Sequence, residues 1–131
     1  MNSIYKETAF PYIVEVKTFS DKRGLLQSLN LSQIPFVVKR VFSISPYTRQ
    51  TVRGGHAHKT CWQAMVPSNS NLIVEGKNKD GDFRFNLQPG DLLIIPPWNW
   101  LKILFEEVGT TASVFCSHNY DVDDYIFSQP W

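Results

Sequence analysis

At the centre of the sequence stands Arg53-Gly54-Gly55-His56-Ala57-His58-Lys59, a stretch that places two imidazoles two residues apart. Because successive side chains of a β-strand alternate between its two faces, a strand here would aim His56 and His58 at the same side. An imidazole takes up or releases a proton near neutral pH, and its neutral form is a common metal ligand. The pair therefore predicts proton-transfer chemistry or a metal site, unless both rings are simply solvated on an exposed hairpin.

Around this pair the apolar residues recur in short runs bounded by turn residues, which predicts an all-β chain. This pattern favours a single domain, residues 1–131, folded as a small closed β-barrel or jelly roll with a site in its mouth. The expected strands are 12–18, 25–31, 36–44, 55–66, 71–76, 82–87, 92–95, 101–105 and 111–117, with 45–52 as a loop.

Composition describes an ordinary globular chain of 131 residues, with 43% hydrophobic and 19% charged residues and a net charge of +1. That balance gives no sign of a surface for nucleic acid or membrane. No apolar run approaches the ~20 residues needed to cross a bilayer, and the first residues lack signal-peptide features, so we expect a cytoplasmic protein. Cys61 and Cys116 lack a metal-type spacing, and we expect two core thiols rather than a disulfide.

Arg40 lies in the expected strand 36–44, an even number of residues from each of four apolar residues. All five side chains would therefore share one face of the strand. If that face is buried, the guanidinium would meet an anion there. If the opposite face with Val37 and Val41 is buried, Arg40 is simply solvated, and the pattern leaves both interpretations open. The four apolar residues are Phe36, Val38, Phe42 and Ile44.

The histidine stretch resembles the first motif of the cupin superfamily, whose usual members have two further metal ligands. Gln63 occupies the position of the usual carboxylate, and Leu101 stands at the histidine of the second motif. Zinc, iron and manganese sites want at least three good protein ligands. The comparison therefore argues against a catalytic metal and favours proton transfer by His56 and His58.

A closer resemblance is to the sugar 3,4-ketoisomerases of the cupin superfamily, and it runs from about residue 12 to residue 126. Its order and spacings cover nearly the whole chain. The matching segments are 21–24, 34–42, 53–59, Ser117, 120–121 and 123–126.

This resemblance implies a cupin-type jelly-roll barrel and an enzyme acting on dTDP-4-keto-6-deoxyglucose. The reaction would move the ketone from C4 to C3 through an enediol, without a cofactor, towards a 3-amino-3,6-dideoxy sugar of a bacterial cell-surface glycan. His56 and His58 would serve as catalytic base and acid, in an order that the sequence leaves open. Members of the family are usually homodimers.

The resemblance also suggests which residues bind the substrate. A planar guanidinium suits a diphosphate, which makes two arginines candidates for the phosphates or the sugar oxygens. A tryptophan could stack on the sugar or base or simply fill the core, and a lysine could bind phosphate or be solvated. The expected substrate-binding residues are Arg40, Arg53, Lys59, Gln63, Trp100 and Tyr125.

Several positions depart from the family pattern. Phe42-Ser43 stands where relatives have Tyr-Tyr, Leu101-Lys102 where they have His-Glu, and Phe127 where they have Arg. These departures keep open a cupin that binds a nucleotide sugar without turnover. A third alternative is a metal-dependent cupin enzyme, against which Gln63 and Leu101 count.

Overall fold

The computed structural model describes residues 9–131, which form β-strands joined by turns and two short 3-10 helices. No helix in this part of the chain is long and apolar enough to cross a membrane. The strands are β1 Tyr12–Glu15, β2 Lys17–Asp21, β3 Gly24–Ser28, β4 Arg40–Ile44, β5 Thr51–His58, β6 Gln63–Ser68, β7 Leu72–Asn78, β8 Gly81–Leu87, β9 Asp91–Ile95, β10 Trp100–Phe105, β11 Thr111–Cys116 and β12 Tyr125–Ile126. The 3-10 helices are Leu31–Gln33 and Val122–Asp124.

The strands form two five-stranded antiparallel sheets and one separate hairpin. The first sheet has the order β1-β9-β6-β11-β4, the second has the order β12-β5-β10-β7-β8, and β2 pairs with β3 alone. Inward side chains from both sheets make one apolar cluster that includes Met65, Leu93, Leu101, Phe105 and Val114. The prediction of an all-β chain is confirmed for the described residues.

The first sheet is buried on its outer face as well, because the segment before β4 crosses it. Ile34, Phe36 and Val38 pack against Ala64 and Ile94 on that outer face. This explains why β6 and β9 are almost continuously apolar, as strands buried on both faces are.

The expected strand 36–44 is therefore wrong in its first half. The strand begins only at Arg40, and Phe36 and Val38 lie on the other side of the sheet from Phe42. Within β4, Arg40 shares the inner face with Phe42, whereas Val41 is 58% exposed. Of the two interpretations of Arg40, the one with an inward guanidinium is confirmed.

Other boundaries also differ from the expectation. The single strand expected at 55–66 is two strands, β5 and β6, which belong to different sheets and are separated by residues 59–62. β5 begins at Thr51, inside the expected loop 45–52. The strand expected at 12–18 is interrupted at Val16, whose amide donates to the carbonyl of Gly90 at 2.8 Å.

Glycines allow the central strand β10 to approach both of its neighbours closely. A Cβ atom on Gly54 would lie 2.9 Å from the carbonyl oxygen of Leu101, and a Cβ atom on Gly76 would overlap the carbonyl oxygen of Trp100. Gly54 also has φ +91°, a conformation that side chains with a Cβ rarely adopt. The site strand β5 is thus held against β10 by contacts that only glycine permits.

Gly76→Ala should lower the free energy of unfolding by about 3 kcal/mol, because the new methyl group would overlap rigid backbone of β10. Gly109→Ala is the matched control, since a Cβ atom there meets nothing within 4 Å, and it should change stability by less than about 0.5 kcal/mol. Urea unfolding of both variants measures this difference. Equal stabilities would contradict the close approach of β7 to β10.

Candidate active site

A cavity of about 410 Å³ opens between the two sheets beside the end of β5. Its walls combine one imidazole, two guanidinium groups, one amide and two tyrosine rings with apolar side chains of the core. The lining residues that carry this chemistry are Arg40, Arg53, His56, Gln63, Tyr120 and Tyr125.

His56 is the histidine that lines the cavity. Burial lowers the pKa of His56 below its ordinary value of 6.5, and the neighbouring His58 lowers it further, while the backbone of Gly54 opposes the shift. At neutral pH the ring is therefore uncharged and has a nitrogen lone pair that can accept a proton. This geometry suits a general base.

His58 lies behind His56 and is 8% exposed. The two rings meet edge to face, with centroids 5.1 Å apart. The Nδ1 atom of His58 lies 3.0 Å from Oδ2 of Asp124, while its Nε2 atom is buried without a hydrogen-bond partner. The pair thus points in one general direction, as expected, but only His56 reaches the wall of the cavity.

Asp124 holds His58 in place and is itself held by the loop after β5. Its Oδ1 atom accepts from the amide of Thr60 at 2.8 Å and from the hydroxyl of Thr60 at 2.7 Å, and its Oδ2 atom accepts from the amide of Cys61 at 3.2 Å. Burial opposes the charge, but these hydrogen bonds and the one with His58 keep the pKa of Asp124 below its ordinary value. The carboxylate is therefore ionised at neutral pH and fixes the orientation of the His58 ring.

Arg40 projects into the cavity between two aromatic rings. Its guanidinium carbon lies 4.7 Å from the ring centroid of Phe42 and 5.3 Å from that of Tyr120, which are cation–π distances. It also lies next to the hydroxyl of Tyr125 and favours the ionised form of that group. A cation held in this way is oriented before any anionic ligand arrives.

Two free thiols lie close to this network. Cys61 and Cys116 are both buried, so the prediction of core thiols is confirmed. A hydrogen bond from the Cys116 thiol lowers the pKa of Cys61 to about 5, although burial opposes the shift. Gln63, which lines the cavity, directs its amide towards the sulfur of Cys116 at 3.9 Å.

A cluster of metal-ligand types exists among the described residues, namely His58, Cys61 and Asp124, whose ligand atoms lie within 4.8 Å of one another. Both oxygens of Asp124 are already satisfied by donors of the protein. His56, which faces the cavity, is not a member. The arrangement therefore fits a hydrogen-bond network that orients His58 better than a metal centre.

The structure gathers most of the residues expected to bind substrate, but not all of them. Arg40, Gln63 and Tyr125 line the cavity together with His56, and Arg53 lies at its exposed edge. The exposed Lys59 and the half-buried Trp100 are not part of the lining. The part that Lys59 and Trp100 would play in substrate binding therefore stays a prediction.

Strand alternation explains the placement of Trp100. Leu101 points into the core, so Trp100 and Lys102 point to the outer face of the second sheet, where both line a separate open groove. The indole nitrogen of Trp100 donates to the carbonyl oxygen of Phe127 at 3.4 Å. Trp100 thus contacts the backbone of a residue whose ring does line the cavity.

Sequence reasoning missed three residues of the site. Asp124, Tyr120 and Phe127 were not assigned roles, although Asp124 and Tyr120 fall within segments of the family resemblance. The ring of Phe127 stacks on Tyr125 at 5.4 Å with an interplanar angle of 18°. The sequence signal that could have identified Asp124 is its position directly before Tyr125. No spacing along the chain relates Asp124 to His58.

The His56 ring should titrate below pH 6.5 in NMR spectra of the imidazole protons, because burial disfavours the charged form. In a His58→Asn variant its pKa should rise but remain below 6.5, since burial is the larger of the two causes. A His56 ring that titrates above 6.5 in the wild-type protein would contradict the burial described here.

Comparisons with known proteins point to one family. The model of the family described as FdtA, WxcM-like C-terminal, matches residues 10–130. The TDP-4-oxo-6-deoxy-alpha-D-glucose-3,4-oxoisomerase of Aneurinibacillus thermoaerophilus is 29% identical over 117 residues, covering 87% of this chain and 84% of that protein.

Two solved structures of QdtA, a sugar 3,4-ketoisomerase from Thermoanaerobacterium thermosaccharolyticum, have the same fold. The complex with TDP superposes with a TM-score of 0.80 at 30% identity, covering 90% of this chain and 88% of that chain. A mutant in complex with TDP-4-keto-6-deoxyglucose gives a TM-score of 0.80 at 29% identity, covering 90% and 87%. By sequence and by architecture, therefore, the chain belongs to the FdtA family and has its cupin-type fold.

Proposed function

We propose that this protein moves the keto group of a dTDP-4-keto-6-deoxyhexose from C4 to C3 by histidine-mediated proton transfer through an enediol. The protein is an isomerase, as its relatives are. The observation that carries the specific proposal is the juxtaposition of a neutral imidazole, His56, and a fixed guanidinium, Arg40, in one partly enclosed cavity.

The chemistry of ketone migration fits these groups. The C–H bond next to a carbonyl is acidic enough to break when a base lies within reach and a cation stabilises the charge that grows on oxygen. His56 supplies the base, and Arg40 supplies the charge for the enediolate. His58, whose ring Asp124 orients, is the second imidazole of the pair and packs edge to face against His56.

The remainder of the substrate is an anionic diphosphate joined to a nucleoside. Arg53 lies at the edge shared by the active-site cavity and a second cavity of about 400 Å³. A guanidinium at this boundary can bind a diphosphate with two parallel hydrogen bonds while the sugar lies inside. This supports a nucleotide-linked sugar as substrate. Lys59, outside the cavity, stays a weaker candidate for the phosphates.

The decisive experiment incubates purified protein with dTDP-4-keto-6-deoxyglucose in deuterated water and follows the sugar protons by NMR. We expect loss of the C3 proton signal by exchange and appearance of the 3-keto sugar, with no requirement for added metal. Binding without either change would favour the nucleotide-sugar-binding cupin without turnover. Activity that chelators abolish would favour the metal-dependent alternative.

His56→Asn and His58→Asn should each lower kcat by roughly 10²-fold or more, because the first removes the base and the second removes the ring that packs against both His56 and Tyr125. His118→Asn is the matched control, since His118 is exposed and bonds to Ser117 rather than lining the cavity. It should stay within about threefold of the wild-type rate. A loss of tenfold or less in His56→Asn would remove this residue from the role of base.

We also propose that the protein is a homodimer that associates through the hairpin β2–β3. Phe19 and Leu26 are cross-strand partners on one face of this hairpin, and they are 59% and 58% exposed. Hydrogen bonds of Gln27 to Pro67 and Gly90 hold the hairpin in position. An apolar pair on a fixed, projecting hairpin suits a surface that a second copy covers.

Leu26→Lys should convert the protein to a monomer, as measured by light scattering after size exclusion, because it places a charge in the apolar interface. The control is Val108→Lys, which changes a 48% exposed valine in the turn between β10 and β11. Unchanged mass in Leu26→Lys, or a monomeric wild-type protein, would contradict this interface.

The proposed setting is the cytoplasm, where buried free thiols such as Cys61 and Cys116 persist in reduced form. Use of the product for a 3-amino-3,6-dideoxy sugar of a cell-surface glycan stays a prediction of the family resemblance. The chemical basis of this prediction is that an amino group would be introduced at C3, the carbon that carries the ketone in the product.

A further inference from the structure

Ketone migration moves protons on oxygen as well as on carbon. In the starting 4-ketone the oxygen at C3 carries a proton and the oxygen at C4 does not, and in the product the reverse holds. Histidine chemistry at the two carbons does not by itself account for the exchange between the two oxygens. A second group is needed that can donate one proton and accept another beside the histidine.

The described walls of the cavity hold two tyrosine rings, Tyr120 and Tyr125. Tyr120 is 61% exposed, at the outside of the wall. Tyr125 is half-buried and belongs to β12, in which it pairs with His58 of β5. The backbone register therefore brings Tyr125, and not Tyr120, against the histidine pair.

The side-chain geometry of Tyr125 matches a proton carrier. Its ring centroid lies 4.7 Å from that of His56 and 4.4 Å from that of His58, and the Phe127 ring stacks on it at 5.4 Å. The guanidinium of Arg40 lies next to its hydroxyl. The hydroxyl is thus directed to the same end of the cavity as the cation that would stabilise an enediolate oxygen.

Protonation states agree with this geometry. Burial raises the pKa of Tyr125 above its ordinary value of 10, and Arg40 only partly opposes the shift. At neutral pH the phenol keeps its proton and is ready to donate it. Once the proton has left, Arg40 stabilises the phenolate that remains.

The two histidines differ in their access to the cavity. The Nε2 atom of His58 is buried, has no partner, and lies in a ring that packs against both Tyr125 and His56. Of the imidazoles, His56 lines the cavity. The groups that face a bound sugar side by side are therefore His56 and Tyr125.

We propose that Tyr125 is a catalytic residue that protonates the oxygen at C4 and deprotonates the oxygen at C3, and this inference rests on the proposed function. In the first half, His56 takes the C3 proton, the C3–H electrons form the C3–C4 double bond, and the carbonyl electrons move to the C4 oxygen. That oxygen takes the proton of Tyr125, which leaves a neutral enediol and a phenolate.

In the second half the same two groups work in the opposite sense, with the phenolate accepting a proton and the imidazolium donating one. The phenolate of Tyr125 takes the proton of the C3 oxygen, and the electrons of that O–H bond form the new carbonyl at C3. The electrons of the double bond take a proton at C4 from the protonated imidazole. Both protein groups return to their starting states, and no oxidant, reductant or cofactor is consumed.

Tyr125→Phe tests the inference, because it keeps the ring and removes the hydroxyl. Two rates are measured in deuterated water with dTDP-4-keto-6-deoxyglucose, namely exchange of the C3 proton and formation of the 3-ketone. We expect ketone formation to fall by roughly 10²-fold or more while exchange falls much less, so that the ratio of exchange to isomerisation rises. Calorimetric binding of TDP should remain within about threefold of the wild-type affinity.

The matched control is Tyr120→Phe, which removes the other tyrosine hydroxyl of the same wall. Its loss of ketone formation should be at least about tenfold smaller than that of Tyr125→Phe. Equal losses in the two variants, parallel losses of exchange and isomerisation in Tyr125→Phe, or loss of TDP binding in that variant would each overturn the catalytic role. Absence of both reactions in the wild-type protein would instead refute the proposed function itself.

Discussion

The hydrogen-bonded carboxylate of Asp124 is the interaction on which the site depends. It joins the C-terminal segment to the loop that follows β5, and it fixes the ring of His58 by the bond to Nδ1. Because Tyr125 directly follows Asp124, the same hydrogen bonds also place the Tyr125 ring against the histidines and its hydroxyl next to Arg40. The carboxylate adds to the two paired residues of the short strand β12 and to the hydrogen bond from the amide of Lys59 to the carbonyl oxygen of Asp124 at 2.9 Å.

Burial gives this network its chemical effect. The cavity lies between two apolar sheets, where electrostatic interactions are stronger than in water and uncompensated charge is costly. His56 is consequently neutral, Tyr125 keeps its proton, and Asp124 is charged because protein donors surround it. One environment thus separates the protonation states of neighbouring groups, which is how a single site can supply both a base and an acid.

The departures from the family pattern have structural counterparts. Leu101 fills the core between the sheets, Phe42 supports Arg40 from below as an aromatic ring, and Phe127 stacks on Tyr125. Phe42 and Phe127 therefore each pack against a polar residue of the site, Arg40 and Tyr125 respectively. The pattern is consistent with a site that keeps one imidazole, one phenol and one guanidinium in contact and surrounds them with apolar walls.

The sequence by itself determined the strand-rich architecture, the shared direction of His56 and His58, and the inward position of Arg40 as one of two alternatives, because alternation along a strand is a local property. The prediction from alternation was wrong for Phe36 and Val38, which lie on the outer face of the first sheet. It also missed the break between β5 and β6, which belong to different sheets. It also could not tell that Trp100 points outward, since both faces of β10 contain apolar residues, Trp100 and Leu104 on one and Leu101 and Ile103 on the other. Only the tertiary structure decided that Asp124 orients His58 and that Tyr125 meets His56, because these contacts join residues more than sixty positions apart.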